Sequence, residues 1–166
     1  TSTTGLAVSP SRSRAVRHGL LECIERDAIA RAHTRHGFLH DNRFDPYTVQ
    51  SPELDDLMGA LRGRGFLVGL WLAPAVGGVP VVWCHLMEDC AADQAILPNP
   101  AEGSAARLGL AAAAIAAIHE AAQSRLTAIS GARDDVGRES FRNFADRARR
   151  DAHRRFLAEG RASMRP

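Results

Sequence analysis

Residues 15–28 read AVRHGLLECIERDA. Leu20, Leu21, Ile24, Ala28 and the later Ala32 recur at the spacing of one face of an α-helix, and Ser11 or Ser13 stands ready to cap its start. The pattern predicts a helix over 11–36. Glu22 and Glu25 are three residues apart, so they sit on adjacent turns of one face, turned away from that apolar seam. Two carboxylates placed together suit Mg2+, a hard cation that takes oxygen ligands and leaves positions for phosphate oxygens. The same residues also allow a plainer reading, in which Glu22 and Arg26 form an ordinary i,i+4 ion pair worth a few tenths of a kcal/mol.

A second helix with the same design lies downstream. Residues 104–130 form an Ala-rich run with Ile115, Ile118, Ala122, Leu126 and Ile129 as its predicted seam, and Glu120 and Gln123 stand off it. Gly5 precedes Glu22 by seventeen residues, and Gly103 precedes Glu120 by the same interval. In both frames an apolar residue lies two positions before the Glu, a second oxygen donor three positions after it, and an arginine nearby, Arg26 or Arg125. We read this as a weak internal repeat.

Between these helices the chain changes character. Residues 40–52 are rich in Asp, Asn and Pro and read as a loop, and residues 52–64 as a short helix stopped by Gly63 and Gly65. Residues 66–72 and 79–87, rich in Val, Leu and Trp, read as two strands joined through Pro74, Gly77, Gly78 and Pro80. Residues 90–103 read as loop. Residues 138–158 predict a last helix lined by Phe141, Phe144, Ala148, Ala152 and Phe156. The expected class is therefore α+β, with long helices packed on a small, largely antiparallel sheet.

Composition narrows the chemistry. The 166 residues suit one domain or part of a larger one, and 45% hydrophobic with 24% charged residues is the make-up of a folded chain. All 21 basic residues are Arg. That excludes a Schiff-base lysine and the lysine-bearing phosphate loop of common NTPases, so any nucleotide chemistry must use Arg and metal ions. Residues 1–137 carry a net charge of −3 and residues 138–166 a net charge of +5. Three cysteines without C-x-x-C spacing fit free thiols in a reducing compartment. The longest uncharged apolar run, Leu108 to Ile118, is eleven residues, too short for a membrane span, and no signal peptide opens the sequence. The expected location is cytoplasmic. The opening Thr, in place of Met, leads us to expect a segment of a longer chain.

His33, His36 and His40 have spacing that some metal sites use, but helix-end histidines more often meet terminal carbonyls. Cys84 and His85 alternate across a strand and are expected on opposite faces, leaving Cys84 as a buried thiol. The pairs Arg149-Arg150 and Arg154-Arg155 offer a nucleic-acid or acidic-peptide grip. Their acidic neighbours and the Phe line favour an amphipathic helix docked on the domain, so nucleic acid is not an expected partner.

Two stretches carry a family resemblance. Gly5-Leu6-Ala7 with residues 15–28 resembles the "GLA…EAxxHGLLELIERDA" stretch of YcaO-domain proteins, and residues 120–135, EAAQSRLTAISGARDD, resemble their "EAAQSRLTxIxGxRDD" stretch. The resemblance implies an ATP- and Mg2+-dependent enzyme that phosphorylates a peptide backbone amide after a thiol, hydroxyl or sulfide adds to it, giving azolines or thioamides. The wording of the second stretch is most like members found beside TfuA-type partners, which form thioamides. Some relatives are described as accessory factors for ribosomal-protein methylthiolation. Carried over residue by residue, the resemblance implies Mg2+ held by Glu22, Glu25, Glu120 and Gln123, with Arg26 at the ATP phosphates and Arg125 as a second cofactor-binding candidate. The implied partners are a peptide or protein substrate, a TfuA-like protein and a second copy in a homodimer, with no membrane.

Departures from the family pattern shape the alternative. Thr4 stands where members usually carry Asn, and Ala116 where they carry Arg. The family's earlier S-x-x-E-x-x-E motif is expected before residue 1, and its proline-rich C-terminal tail is not seen in these 166 residues. The expectation is a partial YcaO-like domain over 1–137, carrying the ExxE and ExxQ helices, with the Arg-rich helix and tail of 138–166 packed on it. The alternative is a non-catalytic remnant or scaffold partner with a degraded ATP site.

Overall fold

Leu21, Ile24, Ala28 and Ala32 do form a helical stripe, and α1 runs Arg12–Arg35, opening where the Ser11 carbonyl accepts the Ala15 amide. The computed structural model describes residues 3–35, 42–74, 76–91, 94–97, 99–131 and 147–159. A 3-10 turn, Pro46–Val49, follows Asp45, whose carboxylate accepts the Tyr47 amide. Helix α2, Pro52–Gly63, is capped by Ser51, which accepts the Leu54 amide, with Pro52 in its first turn and Glu53 and Asp55 set against the positive end of its dipole.

Three strands follow: β1 (Phe66–Ala73), β2 (Val81–Glu88) and β3 (Ala101–Ala106). They form one antiparallel sheet in the order β1-β2-β3, with Trp71 opposite Trp83 and Trp83 opposite Ser104. Helix α3, Leu110–Ser130, ends at Gly131 in the left-handed conformation, and α4 runs Arg147–Glu159. The class is α+β, with four α-helices and an antiparallel sheet among the described residues.

The alternation of each strand divides two cores. On one face Leu70, Val82, Cys84, Leu86 and Ala105 pack against Ala113, Ala114, Ala117, Ile118 and Ala121 of α3 and Leu54 and Met58 of α2. On the other, Ala73, Val81 and Ala106 meet Ala28 and Ala32 of α1, while Trp71, Trp83 and Met87 meet Leu157 of α4. Cys84 and His85 accordingly face opposite ways. Cys84 is fully buried, and that desolvation pushes its thiol well above the usual range.

Two expectations need correction. Residues 101–106 were expected as the end of a loop and the start of a helix, yet they form β3, and α3 begins only at Leu110. AEGSAA carries almost no β-branched or aromatic signal, but small side chains are what a strand needs when a helix lies close on it. The helix seam also differs: α3 buries Ala113, Ala114, Ala117 and Ala121 beside Ile118 and leaves Leu126 and Ile129 exposed, and Leu20 of α1 is exposed as well. Of the predicted tail helix, residues 138–146, with Phe141 and Phe144, lie outside the described residues. So do His36 and His40.

Candidate functional site

Glu25 was expected to stand off the core, and the structure corrects this: it is 8% exposed. Its carboxylate accepts the Ser104 hydroxyl at 2.8 Å and the Ala106 amide at 3.3 Å, both from β3. The cause of the difference is β3 itself, which covers a face of α1 that the sequence left open. From the opposite side of the sheet, Glu120 of α3 comes near enough for Glu25 and the Ser104 backbone both to act on its carboxyl. Ser104 is thus bonded to the acid of α1 and stands beside the acid of α3.

Gly103 makes this convergence possible. A Cβ there would overlap the Ala121 nitrogen and Ala117 oxygen of α3, so no residue with a side chain permits β3 and α3 to lie this close. The seventeen-residue frame recurs here as geometry. Gly5, at φ +84°, lies against α1 where a Cβ on Gly19 would come within 2.5 Å of the Gly5 oxygen, and the Gly5 amide donates to Glu22 at 3.3 Å. In both frames a glycine-bearing segment seats on the backbone of the helix that carries the acid.

Electrostatics mark the pair. Burial, and next the charge of Glu25, hold the Glu120 carboxyl above its usual range, while the Ser104 amide, Arg26 and Arg107 pull it down. Two acids sharing a partly desolvated site without full compensation form a donor set that a divalent cation relieves. Mg2+ is commonly held by one or two carboxylates and fills its other positions with phosphate oxygens and water, so this pair fits it. Among the described residues no group of three or more His, Cys, Asp or Glu side chains forms a closed metal cage.

A cavity of about 520 Å3 lies between the N-terminal segment, the first turns of α1 and the loop before α3, lined in part by Arg14, Arg17, His18 and Arg107. Arg107 is shared between this cavity and the field acting on Glu120. Sequence reasoning did not single out Ser104, Arg107, Arg14 or Arg17. The frame Gly103-Ser104, seventeen and sixteen residues before Glu120, was the available signal.

The remaining candidates are placed differently. Arg26 and Gln123 are exposed, and Glu22 is half-buried. Arg125 is buried and committed to Glu88 at 2.7 Å, with its guanidinium 5.3 Å from the Phe66 ring centroid. Glu88 also accepts the Ile96 and Leu97 amides, so this ion pair pins the loop after β2. In α4, Arg154 pairs with Asp89 at 2.9 Å and Arg150 is buried against the Cys90 carbonyl. His33 is exposed and lies edge-on to Trp83.

Comparisons with known proteins agree with this architecture. The family model described as YcaO cyclodehydratase, ATP- and Mg2+-binding, matches residues 1–166. A Rhizobium leguminosarum bv. trifolii protein, named for its place in the tfuA 3' region, is 33% identical over 168 residues, covering 99% of this chain and 40% of that protein. An uncharacterized protein of Methanothermobacter thermautotrophicus is 34% identical over 142 residues, covering 84% of this chain and 35% of that protein. The chain therefore spans about two fifths of these relatives or less. Among solved structures, YcaO from Methanopyrus kandleri bound with AMPPCP and Mg2+ aligns with a TM-score of 0.66 at 25% identity, over 92% of this chain and 38% of that one. The E. coli microcin synthetase McbBCD complex with pro-MccB17 bound shares the fold, with a TM-score of 0.57 at 14% identity, over 97% of this chain and 38% of that one.

Proposed function

The chain belongs to the YcaO family, and from this premise we propose that it forms part of an ATP- and Mg2+-dependent enzyme that activates a peptide backbone amide and converts it to a thioamide. The observation that carries the reading is that Glu25, bonded to Ser104, and Arg107, which lines a basic cavity, both act on Glu120. When bound, Mg2+ and ATP supply the phosphoryl group that makes an amide oxygen a leaving group. The chain's own part is positional and electrostatic. Glu25 and Glu120 would hold the cation, with Glu22 and Gln123 on the neighbouring turns, and Ser104 keeps the Glu25 carboxylate in place. Arg26 and Arg107 face the negative charge of the phosphates, a role that planar, always-charged guanidinium serves without lysine.

The thioamide outcome, with external sulfide as nucleophile, is favoured over azoline formation by the relative named for the tfuA region. A TfuA-like protein is the partner we propose, with a peptide or protein as substrate and a cytoplasmic setting. No helix among the described residues is long and apolar enough to cross a membrane.

Titration calorimetry with Mg2+ and ATP tests the proposal. We expect binding in the parent chain and at least a tenfold loss in Glu25→Gln and in Glu120→Gln, because neutral amides are poor Mg2+ ligands. Parent-like affinity in both variants would overturn the site. No binding by the parent would favour the non-catalytic scaffold.

A further inference from the structure

On the sheet face that carries α1 and α4, two imidazoles point at each other. His85 Nδ1 of β2 lies 3.0 Å from His153 Nε2 of α4, with ring centroids 5.0 Å apart. The second nitrogen of His85, Nε2, is 3.4 Å from a Glu102 carboxylate oxygen on β3 and makes no hydrogen bond. His85 is 7% exposed and is flanked edge-on by Trp83 and Trp71, with ring centroids at 4.0 and 5.0 Å. His153 is half-buried, so the site is dry behind and open in front.

We propose that His85 and His153 are the protein ligands of a first-row divalent cation of the Zn2+ class, a site separate in place and chemistry from the carboxylate pair. Imidazole nitrogen suits Zn2+, Cu2+ and Ni2+, whereas Mg2+ prefers oxygen. Zn2+ binds imidazole nitrogen at about 2.0–2.1 Å, so two ligands at a tetrahedral angle stand roughly 3.3 Å apart. The observed separation is within a few tenths of an ångström of that span, and the rings must also turn so that both lone pairs meet at one ion. A hydrogen bond between two imidazoles already requires one bare lone pair at the junction. Moving the proton of the donor ring to its other nitrogen bares the second, and no proton leaves the protein.

Glu102 completes the arrangement. A ligating histidine usually has its other nitrogen directed at a carboxylate, which fixes the ring and strengthens the donor. Burial and the neighbouring His85, then Arg43 and Arg149, act against positive charge at His153, while Glu102 acts for it. Arg43 is fixed to the Phe156 and Leu157 carbonyls. No third His, Cys, Asp or Glu joins the pair among the described residues, so water fills the other positions. The ion would join β2 to α4, segments 68 residues apart.

Zn2+ alone, titrated into chelator-stripped protein with nitrogen NMR of the histidine rings, tests this. We expect one equivalent to shift the His85 and His153 ring signals together, with Mg2+ leaving them in place. His153→Gln, which leaves the sheet intact, should weaken that binding at least tenfold, and Glu102→Gln about tenfold or more. Circular dichroism confirms that both variants fold. Zn2+ binding that shifts only His18, His33 or His119, or an affinity unchanged in His153→Gln, would overturn the proposal.

Discussion

Gly103 of β3 and Ala121 of α3 are in backbone contact: a Cβ on the glycine would overlap the alanine nitrogen. Their separation sets where Glu120 stands relative to Glu25. Gly103→Ala should therefore destabilise the fold by about 1–3 kcal/mol, because a helix backbone cannot yield as a flexible side chain does. Gly59→Ala on α2, where nothing lies within 4 Å, should instead stabilise by about 0.5–1 kcal/mol. Urea denaturation of the two variants gives the comparison.

Arg125→Met should cost about 3–5 kcal/mol, since it strands Glu88 in a site where the two side chains are only 8% and 15% exposed. Adding Glu88→Leu should recover part of that loss. Even so, the loop at residues 94–97 should exchange its amides faster in the double variant, because the Ile96 and Leu97 bonds to Glu88 are gone. Denaturation and hydrogen exchange read the two effects separately.

The pH dependence of stability should carry a His153 component. Burial, then the neighbouring His85, Arg43 and Arg149, pull this imidazole from 6.5 down to about 4. Between those values the unfolded chain binds the proton that the folded chain refuses, so stability rises with pH from about 4 to 6.5 and is lost on acidification through that window. His153→Gln should flatten this part of a melting-temperature profile. Glu120 acts in the opposite sense. Its raised carboxyl makes its contribution largest below the ordinary carboxylate value and lost as pH rises through the folded value, and Glu120→Gln removes that fall.

Arg43→Lys keeps the charge but loses the planar fork that donates to two carbonyls at 2.8 Å each. The last turn of α4 should lose protection in hydrogen exchange while β2 stays protected. Equal protection of α4 in both proteins would show that the apolar contact of Leu157 suffices.

The sequence was most readable where side chains are large. α1, α2, β1 and β2 follow from the Leu and Ile spacing, the Ser51-Pro52 cap and the Val- and Trp-rich runs, each a local signal. β3 escaped because Ala101–Ala106 is chosen for what it lacks, and an absence of bulk has no periodicity to read. The same fact hid the register of α3, whose buried face is alanine. Glu25 and Glu120 were legible as acids of interest, but their meeting depends on Ser104, which belongs to the unread strand. Arg125 and Arg43 find partners 37 and more than 100 residues away. Spacing along the chain carries no record of such pairs.

Arg43 also bears on the order of assembly. It joins a short segment near the first third of the chain to a helix near its end, across 113 and 114 residues, and it sits 5.7 Å from both the Trp71 and Phe156 rings. A contact of such long sequence separation closes a large loop and rewards the chain only late. The Arg43 bonds exceed in separation the hydrogen bonds of α4 to His85, Asp89 and Cys90, at 60 to 68 residues, and those of α1 with β3, at 79 and 81. The grip of one guanidinium on the final carbonyls of α4, over an aromatic floor, should therefore be among the last contacts that folding makes.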